Sequence, residues 1–252
     1  MIEFSSVVIT PTTGDKKVLD AVRSVAEQTY KNVKHLLVID GGRFRGKLPD
    51  DIQDLSPNLK IVQLDSNTGS EGFYGHRIYA GFSHLVNEPY VFFLDQDNWY
   101  EPEHVESIIE TINKNNYDWA YSLRNICDNS VKSILAEVKI PDNCESLGKW
   151  PVWTALRPNQ QTLYHIDTSA YAFKREFLVK VGGAWHQGYG GDRIFLKIIT
   201  EHLKHKNYGT SGKYTLNYRL DGNPNSLSKD FILKGNEVTY NYYKGIYPWQ
   251  NI

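Results

Sequence analysis

The sequence predicts an α/β protein whose mostly parallel, twisted sheet is flanked by helices. Three observations carry this. Short apolar runs rich in β-branched and aromatic residues alternate with stretches of helical periodicity through the first half of the chain. The strongest run, Tyr90-Val91-Phe92-Phe93-Leu94, has the continuous apolar character of a strand buried on both faces. Four of the first five strands end in an acid or a Thr-Pro-Thr turn, and in open α/β sheets ligands bind at the carboxyl ends of the strands.

In order, Val7-Val8-Ile9 is the first strand, closed by Thr10-Pro11-Thr12-Thr13-Gly14-Asp15. Lys16 to Tyr30 follows helical spacing through Val18, Leu19, Val22, Val25 and Ala26, with Asp15 as N-cap. His35 to Ile39 is a second strand ending at Asp40-Gly41-Gly42, and the polar segment Arg43 to Pro57 is expected to be an irregular surface connection. Leu59 to Leu64 is a third strand, closed by Asp65-Ser66-Asn67-Thr68-Gly69. Glycines then lead into a helix carrying Ile78, Phe82 and Leu85. After the Tyr90 strand, Glu101-Pro102-Glu103 opens a helix, with proline tolerated in the first turn, and Trp119 to Leu123 is a fifth strand.

Beyond Asn125 the pattern loosens. Val131 to Ile140 reads as a hairpin or edge strand, Lys149 to Gln161 as a long loop, and Tyr164 to Phe173 as a strand followed by a short helix. On that strand His165 and Asp167 would share a face. Gly188-Tyr189-Gly190-Gly191-Asp192 opens a helix with Ile194, Phe195, Ile198, Ile199 and Leu203 on one face. Tyr214 to Tyr218 is a strand, Asn223 to Ser226 a turn, and the tyrosine-rich tail from Phe231 is expected to pack over the sheet. With no repeat or linker, residues 1–252 form one domain: 1–124 the ligand-binding half, 125–252 a smaller β/loop portion with the aromatic tail.

Composition narrows the function. A formal net charge of -1 offers no global field for nucleic acid or an anionic membrane, so an anionic ligand needs local cations or a metal. Cys127 and Cys144 lack metal-type spacing, which suits a reducing compartment. The N-terminus does not read as a signal peptide, and no run reaches the roughly 20 apolar residues that span a bilayer, so a cytoplasmic protein is expected, with peripheral contact at the inner membrane face open to it. Neither a P-loop nor a Gly-x-Gly-x-x-Gly turn follows the first strand, and a Gly-x-Ser-x-Gly elbow is missing.

Chemistry concentrates in Asp95-Gln96-Asp97. Along an extended chain Asp95 and Asp97 point to one side with Gln96 opposed. Two such carboxylates repel unless a cation, hydroxyl or amide lies between them. A hard divalent cation would suit them and would neutralise a diphosphate. A plain strand-end turn explains them equally well locally. Asp192 likewise reads as a helix N-cap or as a general base acting on an acceptor hydroxyl, its pKa lowered by the helix dipole.

As an ordered set these residues resemble the family 2 glycosyltransferases of GT-A fold. Val7 to Thr12 is similar to the first-strand signature, and Ser24 to Tyr30 to the S-x-x-x-Q-x-y pattern. Val38-Ile39-Asp40-Gly41-Gly42 is similar to V-D-D-G-S with one acid instead of two. Asn67-Thr68-Gly69 with Arg77 resembles the N-x-G…A-R-N-x-G segment, Asp95-Gln96-Asp97 the D-x-D motif, and Gly191-Asp192-Arg193 the G-E-D box with Gly191 replacing its first acid. The resemblance implies an inverting, metal-dependent transferase that takes a sugar from a nucleotide-diphosphate donor, a UDP-sugar first, to an acceptor hydroxyl. Pro11, Thr12, Thr13, Asp40, Asn67, Gly69, Arg77, Asp95, Gln96 and Asp97 would bind the donor, with Asp40 accepting from the base and Arg77 near Asp40 or the phosphates. Asp97, with Asp95, would hold Mn²⁺ or Mg²⁺, and Asp192 would be the base. Trp150, Trp153, His165 and Asp167 would build the acceptor side, for a glycan, a lipid-linked sugar or a protein; nucleic acid is not expected. The alternative is an inactive nucleotide-sugar- or carbohydrate-binding domain.

Overall fold

The computed structural model describes residues 5–128, 138–145, 148, 150, 165–220 and 228–251. Its described strands are β1 (Ser6–Thr12), β2 (Val33–Ile39), β3 (Leu59–Gln63), β4 (Tyr90–Phe93), β5 (Trp99–Tyr100), β6 (Trp119–Asp128), β7 (Val138–Pro141), β8 (Tyr171–Lys174) and β9 (Tyr208–Leu220). They form one sheet in the order β3-β2-β1-β4-β8-β6-β9-β5, with β7 paired to β6. β1 to β4 are parallel, β6 and β9 pair in parallel with each other, and β5, β7 and β8 run antiparallel to their neighbours. The predicted α/β sheet is therefore present as a mixed sheet, in which β5, β7 and β8 run against the direction of the other six described strands. The Asn125 boundary between the two expected halves falls inside β6, so one sheet runs through both.

The described helices are α1 (Val18–Ala26), α2 (His76–Leu85), α3 (His104–Asn115), α4 (Arg175–Val181), α5 (Gly191–Lys197) and α6 (Lys229–Tyr243). The apolar faces of α1 and α3 are buried as their spacing predicts: Val18, Ala21, Val22 and Val25 on the first, Val105, Ile108, Ile109 and Ile112 on the second. Gln28, almost wholly buried, joins the two. Its amide donates to the carbonyls of Ser24 and Glu101, while its oxygen accepts the Val105 N–H at 2.9 Å, satisfying one of the orphan donors of α3.

Sheet register aligns the functional ends. Thr12 pairs with Ile39, so the loops after β1 and β2 leave the sheet side by side, and Ile9 pairs with Phe93, which brings in the end of β4. The chain winds one way from β1 to β2 and β3 and the other way to β4. The crevice between β1 and β4 is thus a topological switch point, where α/β sheets bind ligands.

Several expectations change. Asp15 does not cap α1 directly: its carboxylate accepts from Lys17 N–H and its carbonyl from Val18 N–H, forming a turn two residues before the helix. Residues 43–57 are not a loose surface connection. Two 3-10 turns, Gly42–Lys47 and Asp50–Leu55, bury Phe44, Leu48 and Ile52 against Val18, Val22, Leu37 and Leu59. Their apolar residues are four apart but are diluted by charges, which hid the pattern. The strand expected from Tyr164 begins only at Tyr171. Asp167 instead caps a 3-10 turn, Thr168–Ala170, by accepting the Ser169 N–H at 2.9 Å. β5 was not foreseen, and β9 is longer than Tyr214–Tyr218. In the tail, Trp249 is buried in the core and stacks on Tyr247, whereas Tyr240 and Tyr242 are exposed. The expected Asn223 turn, most of the 131–140 hairpin and of the 149–161 loop lie outside the described residues, apart from β7 and Trp150.

Candidate active site

A cavity of about 590 Å³ opens at the switch point. Pro11, Thr12 and Thr13 line it from the end of β1, Asp40 from β2, Asn67 and Gly69 from the loop after β3, and Asp95, Gln96 and Asp97 from the end of β4. His165, Asp167 and Asp192 close its far wall. Twelve of the fifteen residues singled out in the sequence thus meet in one place.

Three do not. Arg77 lies on α2 outside the cavity lining; it donates to the Thr68 carbonyl at 3.2 Å and stacks on Phe73, so it props the loop from behind. Trp150 packs between Tyr121 and Trp249 and serves the core. Trp153 lies outside the described residues.

The loop after β3 is built on Asp40. This buried carboxylate accepts the Thr68 N–H at 2.7 Å, the Thr68 hydroxyl at 2.8 Å and the Gly69 N–H at 2.8 Å. Asp40 therefore shapes the pocket through the loop as well as facing it. Gly69 is required by close approach: a Cβ there would lie 2.0 Å from the Tyr74 carbonyl and 2.8 Å from the Asp40 carboxylate.

Asp95-Gln96-Asp97 is a turn, since Asn98 N–H donates back to the Asp95 carbonyl. The strand-like alternation expected of it is absent, and all three side chains reach the cavity wall. Gln96 crosses the switch point, its oxygen accepting from the Thr12 hydroxyl at 2.7 Å and the Thr13 N–H at 3.1 Å. Asp95 accepts from the Tyr79 hydroxyl at 2.8 Å. Burial, with the charges of Asp97 and Asp167, pushes its carboxyl up to about 8. Burial also raises Asp97, against the opposing pull of its own N–H, Lys17 and Arg219. Desolvated, mutually repelling carboxylates are what a hard divalent cation relieves, and their oxygens are the donors it prefers. No group of three or more His, Cys, Asp or Glu suited to a metal exists among the described residues. The pair therefore fits Mn²⁺ or Mg²⁺ only with phosphate and water completing the shell.

Asp192 behaves oppositely. Burial would raise it, but the His165 imidazole, 2.6 Å from its Oδ2, and the Arg193 N–H on Oδ1 hold it down to about 2. The expected N-cap role is not seen. Gly190 caps α5 in the left-handed region (φ 75°), and Asp192 sits in the first turn. Burial acts to lower His165, yet Asp192 and then Glu145, whose carboxylate lies 3.6 Å from Nδ1, bring it to about 10.

Arg124 was missed. It is a charged residue inside the apolar run of β6 and lines the cavity fully buried. Its Nε donates to Asp142 at 2.8 Å and its Nη1 to Asp167 at 2.6 Å, so Asp167 is committed to this buried pair. A lone arginine among Trp119, Tyr121, Leu123 and Ile126 was the available signal, because a charge there must be paired. Glu145 and Tyr218 also line the cavity and carried no sequence signal.

With this geometry in hand, the comparisons with known proteins are decisive on family. The model of Glycosyl transferase family 2 matches residues 6–172. The chain belongs to that family. The match runs from β1 through the Asp95-Gln96-Asp97 turn to the second residue of β8. An uncharacterized protein of Haemophilus influenzae is 33% identical over 107 residues, covering 34% of this chain and 68% of that protein. Among solved structures, S. aureus TarS is similar at a TM-score of 0.57 and 17% identity, over 86% of this chain and 37% of TarS. TarS 1-349 in complex with UDP-GlcNAc gives a TM-score of 0.58 and 17% identity, over 90% and 63%. The same piece with UDP gives 0.57 and 16%, over 98% and 74%. This chain thus spans little more than a third of the longer TarS chain, and the likeness is one of GT-A fold. Among the described residues no helix is long and apolar enough to cross a membrane.

Proposed function

We propose that this family 2 glycosyltransferase moves a sugar from a nucleotide-diphosphate donor to an acceptor hydroxyl, with inversion at the anomeric carbon. The observation that carries the proposal is that the paired Asp95 and Asp97 and the strongly ionised Asp192 open into one cavity at the sheet's switch point. TarS has been solved with UDP-GlcNAc and with UDP, which makes UDP-sugars the first donors to test.

On this reading Pro11, Thr12, Thr13, Asn67 and Gly69 form the nucleoside wall, with Asp40 holding the loop that carries the last two. Asp95 contacts the hydroxyls of ribose or sugar, and Asp97, with Asp95, holds Mn²⁺ or Mg²⁺. Such a cation supplies Lewis-acid neutralisation of the diphosphate leaving group. Asp192 takes the proton of the acceptor hydroxyl as that oxygen bonds to the anomeric carbon and the bond to the diphosphate breaks. A carboxylate this acidic works as a base only late in the displacement, when the acceptor oxygen has become acidic. The acceptor, whether glycan, lipid-linked sugar or protein, enters on the His165 and Asp192 side. Buried Cys127 and Cys144, neither in a disulfide, agree with a reducing, cytoplasmic setting.

The test is a panel of nucleotide sugars scored by thermal shift with and without Mn²⁺, followed by transfer assays. Asp97→Asn should abolish the metal-dependent part of the shift. Binding indifferent to both nucleotide and metal would refute the proposal, and tight binding without hydrolysis or transfer would assign the chain to the inactive binding class.

A further inference from the structure

His165 stands between two carboxylates in the cavity wall, and nothing in the D-x-D and base assignments uses it. Its Nε2 lies 2.6 Å from Asp192 Oδ2, and its Nδ1 faces Glu145 Oε2 at 3.6 Å. All three side chains are largely withdrawn from water, with 14%, 23% and 8% exposure for His165, Asp192 and Glu145. A contact this short between ring nitrogen and carboxylate is charge-assisted.

We propose that His165 is the positioning residue of the transfer reaction: its imidazolium, steadied by Glu145, keeps Asp192 an oriented carboxylate ready for the acceptor hydroxyl. This rests on the assignment of Asp192 as base. The physical need is specific to this cavity. A carboxyl buried beside other acids takes up a proton unless a cation compensates it, and a protonated Asp192 cannot accept one. Around Asp192 the charged and titratable groups are His165 before β8, its own neighbour Arg193, the Tyr171 phenol on β8 and Asp95 after β4. Facing His165 itself are Asp192 from α5 and Glu145 from the segment after β7. His165 is the one that touches the carboxylate from across the cavity. The Arg193 N–H on Oδ1, at 2.7 Å, and His165 on Oδ2 together fix the carboxylate plane. Each oxygen keeps a second lone pair for the acceptor hydroxyl.

Two readouts test this. The first needs no turnover. Histidine ¹⁵N resonances of the protein should show His165 as an imidazolium through neutral pH, titrating near 10, and Asp192→Asn should lower that titration by more than one unit. A neutral His165 at pH 7, or a titration unmoved in D192N, overturns the proposal. The second is the ratio of kcat/KM for His165→Gln to wild type across pH, with UDP-GlcNAc or whichever nucleotide sugar is turned over. Loss of the cation should raise the Asp192 carboxyl, so the ratio should climb about tenfold per pH unit on its acid side and then level off, with KM for the donor unchanged. A ratio independent of pH identifies a merely structural tie and overturns the proposal. Should H165Q fail to fold, Glu145→Gln preserves the Asp192 contact; it should lower the His165 titration, and no change would overturn the bridge. If wild type transfers no sugar, the functional assignment fails while the resonance experiment still decides whether the ion pair exists.

Discussion

Asp40→Asn separates a carboxylate that builds the pocket from one that reads the nucleobase directly. Asp40 accepts three hydrogen bonds from Thr68 and Gly69 and is 2% exposed. An asparagine of the same shape must turn its NH₂ toward one side. The cheaper orientation keeps the carbonyl on Thr68 and sets the NH₂ against the Gly69 N–H, leaving two donors facing each other. An unsatisfied buried donor costs about 1–3 kcal/mol, so the pair should cost roughly 2–6 kcal/mol. Urea unfolding should show this as a lowered midpoint with unchanged slope. Because Asn67 and Gly69 line the cavity, UDP affinity by calorimetry should fall as well, about tenfold for each 1.4 kcal/mol that reaches the bound state. Stability within about 0.5 kcal/mol of wild type, as for a surface substitution, would refute the reasoning. A changed preference among nucleotide bases with stability intact would show instead that Asp40 reads the base directly.

Arg124→Met should destabilise by about 3–5 kcal/mol, the cost of leaving buried Asp142 and Asp167 without their cation; urea unfolding checks it, and a loss under about 1 kcal/mol would contradict the buried pairing. Burial lowers both His35, bonded to Thr10, and His104, bonded to Thr215, to about 3. Between pH 3 and the ordinary value of 6.5 the unfolded chain binds protons there that the native state does not, so stability should fall as pH drops through this window. Removing His35 by His35→Gln should flatten the slope, measured by unfolding at stepped pH. Within the His165–Asp192 pair, His165 runs the other way. With His165 raised to about 10, its contribution is complete below 6.5 and is lost as pH rises through 10. Asp192, lowered to about 2, contributes above its ordinary value of 3.8 and loses that as pH falls through 2. The stability gap between wild type and H165Q should therefore narrow in alkali.

The sheet and the cavity wall at the ends of β1, β2 and β4 were legible because they rest on local rules. Buried parallel strands such as Val7–Ile9 and Tyr90–Leu94 are continuous apolar runs, and each ends where the polarity changes, which is where the site lies. The helices read through periodicity, and Gln28, the glutamine of the S-x-x-x-Q-x-y pattern, has its physical reason in the N-terminus of α3. What failed was non-local. Phe44, Leu48 and Ile52 enter the core from two 3-10 turns and the link between them, their four-residue spacing hidden among charges. Arg124 meets Asp142 and Asp167 across 18 and 43 residues of sequence. His165 and Asp192 were each singled out, but their contact spans 27 residues and no spacing rule announces it. Of the two local readings open for Asp95-Gln96-Asp97, the structure has the turn rather than the strand-like alternation, and Gln96 is part of the wall.

The direct comparison is Asp192→Asn against wild type, with donor binding and sugar transfer measured on the same preparation. The expected result is an unchanged metal-dependent thermal shift with the nucleotide sugar and a transfer rate lowered by about 10²–10⁴, the range a general base contributes. Transfer at the wild-type rate by D192N would contradict the assignment of Asp192 as the base.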